Sequence, residues 1–258
     1  MSAKPILHIQ TDLFSEDSEN PNASLEAASE FFEVKRLPDG ITRRIELLRV
    51  NGMRDGLRIS LDYARLLGRA FPFTNAMNWL PVFRELCVSE DAYFTDALHA
   101  LDTLWQNSGS HKFIRPVSGF KTFSGGCFGV TSFKNELEFL KQNKNIHPRE
   151  VICVVATPRV INHEWRLIYI DGQYISGSHY MTNGKPSFDL GVPREAIALG
   201  NHVASQDFFA NNFAFVLDIA LVERQCRLLE VNAFETASFY KADLRKVYEA
   251  YAKSLTKE

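Results

Sequence analysis

The chain has 258 residues, 45% of them hydrophobic and 12% aromatic, enough apolar material for a normal core in one large domain or two small lobes. Charged residues make up 23% and the formal net charge is -2, which excludes a general electrostatic pull toward nucleic acid or an anionic membrane. The four cysteines, Cys87, Cys127, Cys153 and Cys226, are scattered with no C-x-x-C pair, so neither a zinc site nor a disulfide scaffold is expected.

Residues 1–12 carry one lysine and a short apolar stretch before the acidic residues begin. No secretory leader is expected there, and no apolar run approaches the roughly 20 residues that span a bilayer, so a soluble, cytoplasmic protein is expected. Residues 5–10 (PILHIQ) predict a strand and the polar run 15–22 a loop. Residues 24–32 have helical spacing, and 32–37 and 41–50 are strand candidates. Apolar residues three and four apart predict helices over 54–69 and 92–106. This makes a β/α lobe over 1–108, with the small polar stretch 107–111 (NSGSH) as the boundary to a second region, 109–258.

In that second region, residues 112–116 (KFIRP) predict a short strand. Residues 118–129 (SGFKTFSGGCFG) hold four glycines in twelve, too many for a regular element. A short helix is expected over 135–142. Strands follow over 151–156, 164–170 and 174–179, the last two joined by Asp171-Gly172, a strong hairpin signal. Residues 193–203 read as a helix, 213–221 and 226–232 as a strand pair, and 241–254 as an amphipathic closing helix. The pattern predicts an α+β architecture, a β/α lobe followed by an antiparallel sheet with flanking helices.

The chemistry concentrates in 215–240, FVLDIALVERQCRLLEVNAFETASFY. Asp218 interrupts one apolar strand, and Glu230 and Asn232 lie two apart on the next, so they share a face. Pairing through the turn at 223–225 brings Asp218 to that face. Two carboxylates and an amide oxygen suit Mg2+ held jointly with phosphate. The same groups would also serve as a solvated sheet face. Upstream, Arg115 and Lys121 flank the glycine-rich loop, whose Gly119, Gly125 and Gly126 allow backbone N–H groups close to phosphate oxygens. Glu164 and Arg166 share a strand face, as a functional pair or as a cross-strand salt bridge. His8, His163 and His179 read as structural, and basic residues are nowhere interleaved with aromatics densely enough for a nucleic-acid platform.

Taken in order, these segments resemble the ATP-grasp family. E-x-N with an acid one strand earlier resembles its magnesium-binding strands, and residues 113–126 (FIRPVSGFKTFSGG) its phosphate-covering strand and loop. The family's strand usually carries lysine before the proline; Arg115 stands there instead, with Lys121 in the loop, which resembles an ATP-grasp clade marked by an arginine and two lysines. Residues 163–180 (HEWRLIYIDGQYISGSHY) resemble its E-x-R strand and hairpin.

The resemblance implies a sheet that clasps ATP, with Arg115, Lys121, Gly125 and Gly126 on the phosphates and backbone from Thr157 to Ile161 reading the adenine. It further implies Glu164 on the ribose, Arg166 beside the transferred phosphoryl group, and Mg2+ on Asp218, Glu230 and Asn232. The implied activity is an ADP-forming ligase joining a small-molecule or peptide carboxylate to an amine through an acyl phosphate. A small-molecule kinase with the same ATP site and a non-catalytic nucleotide-binding module are the alternatives. Ser176, Ser178, Tyr180 and Tyr240 are candidates to line a substrate pocket. No membrane or nucleic-acid partner is implied, and the oligomeric state stays open.

Overall fold

The computed structural model describes residues 4–10, 23–37, 55–66, 71–107, 109–189 and 191–257. In chain order it contains β1 (Ile6–Gln10), α1 (Ala23–Phe31), β2 (Glu33–Leu37), β3 (Gly56–Arg58), α2 (Leu61–Leu66), α3 (Ala76–Trp79), β4 (Tyr93–Asp96), α4 (Ala97–Gln106), β5 (Lys112–Pro116) and β6 (Gly126–Phe128). It continues with α5 (Val130–Lys144), β7 (Ile152–Ala156), β8 (His163–Ile170), β9 (Gln173–Thr182), β10 (Lys185–Asp189), α6 (Arg194–Ala204), β11 (Ala214–Val222), β12 (Gln225–Ala233) and α7 (Leu244–Leu255). None of the described helices is long and apolar enough to cross a membrane.

Two compact units are present, Met1–Ala70 with Ile161–Glu258, and Phe71–Val160. The polar stretch 107–111, expected as a boundary, lies inside the second unit between α4 and β5. In the first unit β1 runs between β2 and β3, parallel to both. The same unit holds a five-stranded antiparallel sheet of order β10-β9-β8-β11-β12. Strand alternation assigns its two faces. Ile168, Ile170, Ala214 and Val216 pack with Leu7 and Ile9 of β1 and with Val247, Tyr248 and Tyr251 of α7 in one apolar core. The opposite face carries Tyr169, whose hydroxyl donates to Asn201 of α6 at 3.1 Å.

The hairpin turns follow their backbone requirements. Asp171 and Gly172 (φ 50 and 71) and Asn183 and Gly184 (φ 49 and 73) take the left-handed pair that matches strand twist. The β11–β12 turn does the same with Glu223 and Arg224 (φ 50 and 67), where no glycine relieves the strain.

The second unit holds the four-stranded antiparallel sheet β4-β7-β5-β6. Ile114, Cys153 and Val155 pack with Ala100 and Leu104 of α4 and with Phe133, Leu137 and Leu140 of α5. The region expected to form one antiparallel sheet therefore forms two.

Several expected elements change. Residues 54–69 contain a strand before the helix, because β3 finds its hydrogen-bond partner in β1. Residues 92–106 split into β4, paired with β7, and α4, whose first turn is capped by Asp96 Oδ1 accepting from Leu98 and His99 N–H. The helix expected over 135–142 starts earlier, at Val130, and ends on a left-handed Asn145 (φ 52). β10 was not anticipated. The expectations for 15–22 and 41–50 lie outside the described residues.

Gly177 of β9 faces the β8 backbone: a Cβ there would stand 2.8 Å from the Arg166 carbonyl oxygen and 3.0 Å from Val192 Cγ2. Since a paired strand cannot step aside, Gly177→Ala is expected to cost about 1–3 kcal/mol in urea unfolding. An unchanged midpoint would mean that β8 and β9 yield at this point.

Candidate active site

The register of β8 with β11 sets Asp218 opposite Arg166, and that of β11 with β12 sets it opposite Glu230. Arg166 Nε donates to Asp218 Oδ1 and Nη2 to Oδ2, both at 2.8 Å, a bidentate ion pair. Asp218 is 1% exposed and Arg166 8%. A solvated outer face is thereby excluded, as is a salt bridge between Glu164 and Arg166: the arginine's carboxylate lies one strand over. Burial alone would lower the Arg166 pKa, but the Asp218 carboxylate outweighs it and raises the value well above the usual one, so the guanidinium stays charged.

Arg166 Nη1 also donates to the Ser238 carbonyl at 3.0 Å. Asn232 Nδ2 donates to Asp218 Oδ2 at 2.9 Å and to Glu230 Oε2 at 3.4 Å. Asp218, Glu230 and Asn232 thus meet on one face, the continuation of the face that packs the core lower down the same strands. Among the described residues no three His, Cys, Asp or Glu side chains gather to hold a metal by themselves. The donor set here is instead two carboxylates and an amide, hard oxygen groups suited to Mg2+ completed by phosphate. A half-turn of the Asn232 amide brings its oxygen to where its nitrogen now meets both carboxylates.

Glu164 lies on the same face and accepts the Tyr180 hydroxyl at 2.6 Å. Burial raises the Glu164 carboxyl above its ordinary range, and the Asp218 and Glu230 charges add to the rise against the opposing Tyr180 hydrogen bond and Arg166. The segment after β12 closes this side. Ile59 N–H donates to the Glu235 carbonyl at 2.9 Å, and the fully buried Arg58 donates to the Phe234 carbonyl with its guanidinium 3.6 Å from the Phe239 ring centre. Arg58 was not anticipated; a charged residue in a three-residue strand gives no signal by itself.

In the second unit, β5 places Arg115 against β6 and the loop before it. A Cβ on Gly125 would stand 2.8 Å from Arg115 Cβ, so only glycine lets the loop close on that side chain. Lys121 is exposed, in a left-handed conformation (φ 48), with its N–H on the Ser118 carbonyl at 3.1 Å. Phe123 anchors the loop in the core at 3% exposure, while Ser124 and Gly125 are exposed. Thr157 is also exposed, but its N–H is committed to Asp91 Oδ2 at 3.1 Å. Burial would raise the Asp91 carboxyl, yet the Thr157 hydrogen bonds outweigh it and hold it below the usual range. Ile161 is half-buried in the first unit.

The histidines form a separate chain on the opposite sheet face. His179 Nδ1 meets Asp189 Oδ2 and its Nε2 meets His163 Nδ1, each at 3.2 Å, with Trp165 stacked on His163. His8 meets Asp55 at 3.2 Å.

A family model described as the ATP-grasp domain, R-2K clade family 2, matches residues 95–250. Comparison with curated protein sequences gives no match. Among solved structures the chain is similar to the D-cycloserine synthetase DcsG, with TM-score 0.63, 15% identity, and coverage of 97% of this chain and 99% of that one. It is also similar to the ATP-grasp ligase PsnB complexed with minimal precursor, with TM-score 0.56, 14% identity and coverage of 99% and 100%. A third similar structure is the D-alanine–D-alanine ligase of Bacillus anthracis complexed with ATP, with TM-score 0.55, 12% identity and coverage of 98% and 97%. At these identities the likeness establishes the fold alone.

Two outcomes are expected of the cluster. Asp218→Asn leaves the buried Arg166 without its counter-charge and is expected to cost about 3–5 kcal/mol in chemical denaturation, while Arg166→Met combined with Asp218→Leu costs less than that single change. A loss below about 1 kcal/mol for Asp218→Asn would remove the pair from its structural role. For Glu164, a raised folded pKa means that its stabilising contribution is full below the ordinary 4.5 and is lost as pH rises through the raised value. Glu164→Gln should therefore match the parent near pH 4 and exceed it in stability at neutral pH; equal unfolding curves at both would contradict the shift.

Proposed function

We propose that this chain, which belongs to the ATP-grasp family (R-2K clade family 2), is an ATP- and Mg2+-dependent carboxylate–amine ligase that works through an acyl phosphate. The observation that carries the reading is the convergence of Asp218, Glu230 and Asn232 on one face, locked to the buried Arg166. The similar structures, a D-cycloserine synthetase, a D-alanine–D-alanine ligase and a ligase with its precursor, favour amide-type bond formation on a small or peptide acid.

In this reading residues 109–258 are the nucleotide-binding and catalytic region and 1–108 an N-terminal lobe. Arg115 grips phosphate oxygens as a fork and Lys121 as a point charge, and the N–H groups of Gly125 and Gly126 add neutral donors. Glu164, oriented by Tyr180, accepts from the ribose hydroxyls. Adenine is read by backbone groups between Thr157 and Ile161 other than the Thr157 N–H, which Asp91 already holds. Asp218, Glu230 and Asn232 hold Mg2+, which when bound neutralises charge on the terminal phosphates. Arg166 positions Asp218 and turns its remaining N–H groups toward the acyl phosphate. Such transfer needs positioning and charge neutralisation rather than a covalent step on the protein.

The test combines Mg-ATP, pools of amino acids and hydroxylamine, a small amine that traps acyl phosphates as hydroxamates. ADP, phosphate and a hydroxamate are expected, together with a rise in melting temperature on adding Mg-ATP that Lys121→Ala largely removes. AMP as the nucleotide product would overturn the mechanism. ADP with a stable phosphorylated product and no amine incorporated would point to a kinase, and no melting shift at millimolar Mg-ATP to neither.

A further inference from the structure

Beside the charged cluster stands a ladder of three aromatic rings, of which the ligase chemistry uses only the Tyr180 hydroxyl. Tyr180 of β9 stacks on Tyr240 at 5.0 Å and 15°, and Tyr240 stacks on Phe188 of β10 at 5.4 Å and 26°. Its inner end touches the site: the Tyr180 hydroxyl donates to Glu164, and the Arg166 guanidinium carbon lies 4.9 Å from the Tyr240 ring centre and 5.4 Å from that of Tyr180. Its outer end opens to solvent, with Phe188 45% exposed.

The middle ring is held there against its own backbone preference. Tyr240 has φ 51, a left-handed conformation that a bulky side chain keeps only when its surroundings enforce it. The enforcement is visible on both sides. The Ser238 carbonyl accepts from Arg166, the Lys241 N–H donates to Ser178 Oγ at 3.2 Å, and the Asp243 N–H donates to Ser176 Oγ at 2.8 Å. Ser176 and Ser178 are therefore committed to holding this strap rather than lining a pocket. A bulge in β9 between its partners Glu164 and Trp165 turns Tyr180 to the strap side. Strain and three tethers hold a stack whose inner rings, Tyr180 and Tyr240, lie beside the buried Arg166 and whose last ring, Phe188, faces solvent.

Arg166 has five N–H groups, and the contacts to Asp218 and Ser238 use three, so each terminal nitrogen retains one hydrogen for an anionic group at the foot of the ladder. We propose that the Tyr180–Tyr240–Phe188 ladder is the side-chain subsite for the acid that this protein activates, selecting acids with an aromatic or other flat apolar group over small ones. The proposal rests on the ligase reading for the fate of that acid, and on the ladder alone for its shape. Phe188 is the specificity-determining member, because its exposed ring offers the next stacking position.

The experiment compares phenylalanine and phenylacetate with alanine and acetate as acids, in the hydroxylamine-coupled ADP assay and by ligand-observed NMR with phenylacetate as the probe. In the parent protein the aromatic acids should show the higher kcat/KM, and phenylacetate should show binding. Phe188→Ala should raise KM for the aromatic acids about 2- to 10-fold with kcat little changed, the range one lost stacking contact corresponds to, and Phe188→Tyr should restore it. ADP formed from small acids as readily as from aromatic ones, or a preference that Phe188→Ala leaves intact, overturns the subsite while the ligase reading stands. Phenylacetate binding that depends on Phe188, with no ADP from any acid, supports the subsite and sinks the ligase reading. If aromatic acids are neither bound nor turned over, the subsite is overturned outright.

Discussion

The buried ion pair between Arg166 and Asp218 is the constraint on which the site's arrangement depends. Removing two charges from water costs several kcal/mol per ion, and the loss is offset only if geometry is good and the remaining polar groups are satisfied. The geometry is good, with two 2.8 Å hydrogen bonds joining the pair, and the Ser238 carbonyl and Asn232 amide take up part of the remaining valence, two Arg166 N–H groups being left over. The pair also pins the register of β8 on β11, because a one-residue slip would turn Arg166 to the α6 face and leave Asp218 buried without a counter-charge. Glu164, two residues from Arg166, is carried to its place by the same register.

The same strands serve two purposes along their length. Toward one end Ile168, Ile170 and Val216 are core residues beneath β1 and α7; toward the other, Arg166, Asp218 and Asn232 occupy that same face. Polar groups so close to an apolar core are accommodated because they hydrogen-bond to one another. The segment after β12 is then fixed from two directions, by Arg58 and Ile59 of the N-terminal part at Phe234 and Glu235, and by Arg166 and the two β9 serines from Ser238 onward. These tethers hold the segment in place and let a strained Tyr240 persist.

In the second unit the glycine-rich loop is less free than its composition suggests. Phe123 is buried between Phe128 and Phe133, and Lys144 of α5 donates to the Thr122 carbonyl at 2.7 Å. Around this anchor Lys121, Ser124 and Gly125 stay exposed, and the absence of a Cβ on Gly125 lets the loop lie close against Arg115. An anchored loop with an exposed tip presents backbone donors at lower entropic cost than a loop free along its whole length.

The sequence by itself determined whatever depends on local period and composition. Apolar runs marked β8, β11 and β12, Asp171-Gly172 marked the turn between β8 and β9, and carboxylates interrupting FVLDIAL and LLEVNAF marked the polar positions of the site. Those signals need only a few neighbouring residues, so they survive without knowledge of the fold. Tertiary structure decided what depends on partners far along the chain. That β3 is a strand follows from its pairing with β1, and that 92–106 breaks into β4 and α4 follows from β7. Arg166 shares a face with Glu164 in sequence, yet its counter-charge comes from Asp218, 52 residues away. Thr157 looked available for adenine until Asp91, 66 residues earlier, took its N–H. A side-chain period gives direction but not distance, and a charge is settled by the nearest opposite charge in space, which only strand register and bulges fix.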